Sequence, residues 1–135
     1  MLEIIVCDDD IIELNCIKNI LQKTFLNQGI GCEIKCFVLP DEMLRNVEKA
    51  DIGILNISGK INGISLGKKL KEKFPDIHLI YISTNEHYCM QAINEVHAFS
   101  FLCKPLNQKI FQKQILEILN IFPHQSITKE FYSYR

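Results

Sequence analysis

The sequence predicts a doubly wound α/β sandwich, in which a five-stranded parallel sheet is covered by helices on both faces. Three observations predict it. Short apolar runs of strand length alternate with longer stretches whose apolar residues recur at helical spacing. The strand-like runs are near-continuous rather than alternating apolar and polar, the pattern of strands buried on both faces. The alternation repeats as five βα units, and 135 residues suit one domain of that size.

Leu2–Cys7 is the first strand, halted by Asp8-Asp9-Asp10. Leu14, Ile17, Leu21 and Phe25 then mark a helix that Gln28-Gly29 closes. Cys32–Leu39 reads as the second strand. Pro40-Asp41-Glu42 starts a helix with Leu44 and Val47 on one face. Asp51 opens a buried strand, Ile52–Ile57, and a loop with Gly59 and Asn62-Gly63 follows. Leu66, Leu70 and Phe74 define a helix ending before Pro75. Ile77–Ile82 is the fourth strand, Tyr88–Glu95 a short helix and Ala98–Cys103 the fifth strand. Leu106–Ile121 is the last helix, with Phe111, Ile115, Ile118 and Phe122 on one stripe. Right-handed crossovers then give the doubly wound sandwich, and the flavodoxin-like strand order 2-1-3-4-5 suits five units of this size. The domain spans 1–121, and 122–135 is expected to be a C-terminal tail or the start of a linker to a missing output domain.

Fifteen Lys+Arg against sixteen Asp+Glu give a net charge of −1, so no basic excess steers the chain onto nucleic acid. No apolar stretch approaches the length that spans a bilayer, and the N-terminus lacks the basic and apolar regions of a secretory signal. The cysteines at 7, 16, 32, 36, 89 and 103 form no C-x-x-C pair, and the histidines are scattered. All six are expected to be small buried hydrophobes of a protein in the reducing cytoplasm.

In an open parallel sheet, ligands bind at the carboxyl ends of the strands. Here those ends carry Asp8-Asp9, Asn56, Ser83-Thr84 and Cys103-Lys104-Pro105. Each has an ordinary explanation. The acids suit a helix N-cap and first turn, Asn56 a turn, Ser83 a strand end, Lys104 a solvated lysine and Pro105 a helix start. Together they also suit a cation site, because adjacent carboxylates repel unless a lysine or a divalent ion relieves them, and oxygen ligands suit Mg²⁺.

In their order and spacing, Ile5-Val6-Cys7-Asp8-Asp9-Asp10, Asp51–Ile57 with Asn62-Gly63-Ile64, Ile80-Tyr81-Ile82-Ser83 and Phe101-Leu102-Cys103-Lys104-Pro105 resemble a response-regulator receiver domain. Glu86-His87-Tyr88, Val96-His97-Ala98 and the Phe101–Pro105 stretch look like the LytTR-associated subclass, in which the receiver precedes a DNA-binding domain. The resemblance implies roles for the matched positions. Asp8 and Asp9 help hold Mg²⁺, and the backbone carbonyl of Ser58 is a further ligand. Ser83 bonds the phosphoryl group, Lys104 pairs with its oxygens and is joined to Pro105 by a bond that is commonly cis, and Phe101 is the aromatic switch, here without a hydroxyl. It also implies a sensor histidine kinase or other signalling partner, a cytoplasmic location, no enzymatic activity of the module itself, and homodimers through the fourth helix, fifth strand and fifth helix.

Asn56 stands where the family carries its phospho-accepting aspartate. Acyl-phosphate formation needs an ionised oxygen to attack phosphorus, and an amide is a poor nucleophile. It also removes one negative charge from the cation site, so Mg²⁺ should bind weakly at Asp8, Asp9, Asn56 and Ser58. Ser58-Gly59-Lys60-Ile61 departs from the family pattern too. The favoured expectation is therefore a natural pseudo-receiver that regulates transcription through protein–protein interaction, with DNA contacted only by a domain missing from this chain. The alternatives are a conventional phosphorylatable regulator with an engineered asparagine, an acceptor serine at 58 or 83, and a small-molecule binder on the same scaffold.

Overall fold

Asp10 starts the first helix: its carboxylate accepts from the backbone N–H groups of Ile12 (2.9 Å) and Glu13 (3.4 Å), two donors the helix leaves unpaired. Gly29 ends it in the left-handed conformation at φ 66°, where a side chain would be strained, and the backbone N–H groups of Gly29 and Ile30 close onto Leu26 and Phe25. In the computed structural model, which describes residues 1–57 and 62–122, this helix is α1 (Ile11–Gln28). The other elements are β1 (Leu2–Cys7), β2 (Cys32–Phe37), α2 (Pro40–Asn46), β3 (Ile52–Ile57), α3 (Gly63–Lys73), β4 (His78–Ser83), α4 (Cys89–Asn94), β5 (Ser100–Cys103) and α5 (Gln108–Ile121).

The five strands form one parallel sheet in the order β2-β1-β3-β4-β5, as expected of a flavodoxin-like fold. Side chains alternate across the strands and build two apolar layers. Val6, Ile54 and Ile82 pack with Leu21 and Phe25 of α1 and with Phe111, Ile115 and Ile118 of α5. Ile5, Leu55 and Tyr81 pack with Met43, Leu70, Ala92 and Val96 on the opposite face. Each fully buried Ile, Leu or Phe contributes roughly 1.5–3 kcal/mol from burial, before the entropy of ordering the chain is subtracted.

Several expectations need correction. β4 begins at His78 rather than Ile77, because the Ile77 N–H turns back onto the Phe74 carbonyl (3.0 Å). β5 begins at Ser100 rather than Ala98, whose N–H bonds Ala92 (3.0 Å), and β2 stops at Phe37, short of Leu39. Met43, absent from the expected face of α2, is its buried residue, while Leu44 is half-buried. Tyr88 closes a 3-10 turn, Glu86–Tyr88, and α4 starts at Cys89. Of the six cysteines only Cys7 is buried; Cys32, Cys36 and Cys89 are half-buried, and Cys16 and Cys103 are exposed. Ser58, Lys60 and 123–135 lie outside the described residues, so the carbonyl ligand, the loop lysine and the tail have no structural account.

Candidate functional site

The register brings the polar strand ends together. Cys7 pairs with Leu55, so Asp8 and Asn56 follow side by side on neighbouring strands. Ser83 pairs with both Ile57 and Cys103, and the backbone N–H of Lys104 donates to the Ser83 carbonyl at 2.8 Å. Alternation then sorts these residues by face. Asp8, Asn56 and Lys104 continue the parity of Val6, Ile54 and Leu102, on the α1/α5 side. Ser83 continues the parity of Tyr81 and Phe101, on the other side.

Asp8 is fully buried and Asn56 is 4% exposed. The Asn56 amide donates from Nδ2 to Asp8 Oδ1 at 3.2 Å, and the same oxygen accepts from the Asp10 backbone N–H at 2.9 Å. Asp8 Oδ2 and Asn56 Oδ1 are buried without a partner among the described residues. Burial pushes the Asp8 carboxyl up to about 6. The Asp10 N–H and the Lys104 ammonium oppose the rise, while Glu13 adds to it. Asp9 is exposed beside them.

Lys104 is held by Glu13, with Nζ 2.5 Å from Oε2. Sequence reasoning missed Glu13. The signal was available, since Asp10 and Glu13 are spaced as a helix cap and its third residue. In a capping box Glu13 would accept the Asp10 N–H, but Asp8 has taken that donor, which leaves the Glu13 carboxylate free for Lys104. The Lys104–Pro105 bond is cis.

Ser83 is fully buried. Its Oγ donates toward the carbonyls of Ile57 (3.2 Å) and Asn85 (3.3 Å) and accepts from the Asn85 N–H (3.0 Å). Phe101 is half-buried against Tyr81, ring centres 6.5 Å apart.

Two buried oxygens without donors are a place for a cation, and with Asp9 alongside they fit a hard ion such as Mg²⁺. Among the described residues no three His, Cys, Asp or Glu side chains gather into a fuller metal cage. The site therefore has oxygen ligands but few charges, which suits weak binding.

No family model and no curated protein sequence matches the chain. Solved structures do match its fold. The response regulatory domain of protein mrkE from Klebsiella pneumoniae superposes with a TM-score of 0.78 at 16% identity, over 92% of this chain and 100% of that one. A two-component response regulator from Clostridium difficile gives 0.74 at 22%, over 89% and 97%. The BeF3-activated DrrB receiver domain gives 0.73 at 20%, over 89% and 98%. At these identities the likeness is one of fold.

Proposed function

We propose that this chain is a receiver module of two-component signal transduction that takes no phosphoryl group at position 56, a pseudo-receiver acting through protein–protein contacts. The observation that carries this reading is the buried Asn56 amide donating to Asp8 at the carboxyl edge of a receiver-type sheet. A phospho-acceptor there must offer an anionic oxygen to phosphorus. Asn56 offers a neutral amide instead, already used as a donor to the neighbouring acid.

The remaining parts keep their proposed roles without that step. Mg²⁺, when bound, would be held weakly by Asp8, Asp9 and Asn56 and would neutralise the acids. Lys104, paired with Glu13, balances charge at the same edge. Ser83 and Phe101 are the elements whose packing a partner would bias by population shift. The LytTR-type pieces around Glu86–Ala98 point to transcription regulation, with DNA contacted by a domain outside this chain. The chain's near-neutral charge supports the view that this domain itself does not touch DNA. A sensor kinase or another cytoplasmic signalling protein is the proposed partner, and no helix of the described residues is long and apolar enough to cross a membrane.

The test is incubation with a small phosphodonor and Mg²⁺, read by intact mass. The native chain should gain no phosphoryl adduct, and Asn56→Asp should gain one. An adduct on native protein that disappears in Lys104→Ala would restore the conventional regulator. Absence of an adduct on Asn56→Asp would mean that the surrounding pocket lacks receiver chemistry.

A further inference from the structure

β5, one edge of the sheet, is four residues long; β2, the other, is six and among the described residues pairs only with β1. An edge strand of that length offers a row of backbone donors and acceptors to another strand. None of its residues is fully buried, in contrast with β3, where all are. Glu33 and Lys35 share the face covered by the short helix α2. Their side chains are 52% and 40% exposed, and their ion pair is loose at 3.8 Å. Cys32, Ile34 and Cys36 turn to the α1 side. There a groove of about 420 Å³, lined by Leu26, Ile30, Cys32 and Ile34 among others, runs beside the edge, and Leu26 is 79% exposed.

Cys32-Glu33-Ile34-Lys35-Cys36 reads the same in both directions, except that the charges invert about Ile34. An antiparallel neighbour on a two-fold axis through Ile34 would set Glu33 against Lys35 of the partner subunit, and Lys35 against Glu33 of the partner subunit. Ile34 would meet its own copy. Sliding by two residues either way puts glutamate on glutamate or lysine on lysine at the axis, and like charges directly opposite are destabilising. Sliding by one turns the side chains to the wrong faces. A parallel, in-register pairing aligns like charges throughout.

We propose that β2 is a self-association edge, on which a second copy of this chain docks antiparallel about Ile34 to join two five-stranded sheets. Its charge pattern selects that one register. The dimer is isologous, and each copy contributes the same patch. It stands independently of the receiver reading.

Sedimentation equilibrium tests it. The native chain should reach twice 15.6 kDa as concentration rises. Glu33→Lys alone, or Lys35→Glu alone, should weaken dimerisation about tenfold, because each turns two opposite-charge pairs into like-charge pairs. The double variant Glu33→Lys/Lys35→Glu should return to within about threefold of native, and an equal mixture of the two single variants should form heterodimers. Circular dichroism confirms that each variant folds. A chain that stays monomeric at about 1 mM overturns the proposal. So does a dimer indifferent to the single reversals, or a double variant as weak as the singles. None of these results alters the phosphodonor test.

Discussion

Asp8 shows how one buried carboxyl links protonation, stability and binding. Its folded-state pKa lies near 6, against an ordinary 3.8, because burial penalises the charged form. A raised carboxyl binds its proton more tightly in the folded chain than in the unfolded one. Its contribution to stability is therefore full below about pH 4 and is lost as pH rises through about 6, on the order of 3 kcal/mol by linkage. Asp8→Asn should remove that loss while keeping an acceptor for the Asn56 amide. We expect thermal melts to show it more stable than native at pH 7, with a flatter stability profile between pH 4 and 6, and Mg²⁺ titration by calorimetry to show weaker binding. Asn56→Asp moves the other way. It sets a second carboxylate against Asp8, so its melting temperature at pH 7 should fall without Mg²⁺ and recover when Mg²⁺ is added.

The fit of α3 to the sheet depends on a polar contact in an apolar layer. Tyr81 of β4 is fully buried, its hydroxyl donates to the Gly63 carbonyl at 2.7 Å, and burial raises its pKa. Gly67 makes room for that hydroxyl: a Cβ there would lie 1.9 Å from Tyr81 Oη and 2.8 Å from Val96 Cγ1. Gly67→Ala should cost about 1–3 kcal/mol or more in urea unfolding, because a backbone-attached atom cannot move aside. Tyr81→Phe leaves a buried carbonyl without that donor and should cost about 1–3 kcal/mol. In the double variant the two costs should add to less than their sum, since removing the hydroxyl relieves the 1.9 Å clash. Strict additivity would disprove the contact.

Across the whole molecule, thiol chemistry reports how the layers close. Cys16 and Cys103 are exposed, whereas Cys7 is buried, its thiol pushed up to about 12 by burial first and by Asp8 and Asp9 next. A native thiol titration should show Cys16 and Cys103 reacting fast and Cys7 reacting only on unfolding, with mass mapping to assign each. Sequence reasoning took all six for core because cysteine is often buried. Cys16 lies within the apolar helix α1 but on its solvent side, and Cys103 ends a strand at the sheet's open edge. Each has a polar residue on one side, Asn15 beside Cys16 and Lys104 beside Cys103, and burial is set by which face a residue occupies; for these two that face points outward.

Periodicity and strand-end chemistry were enough to determine the five βα units and the arrival of Asp8, Asn56, Ser83 and Lys104 at one edge, because a parallel doubly wound sheet brings its strand ends together; the order 2-1-3-4-5 was the flavodoxin-like arrangement that suits five such units. Tertiary structure alone decided which groups bond there. Glu13 reaches Lys104 from ninety-one residues away because Asp8 claims the Asp10 N–H, Tyr81 of β4 seeks the Gly63 carbonyl of α3, and among the described residues β2 pairs on one side alone. Such pairings depend on competition for donors and on space between distant segments, and no local pattern encodes either.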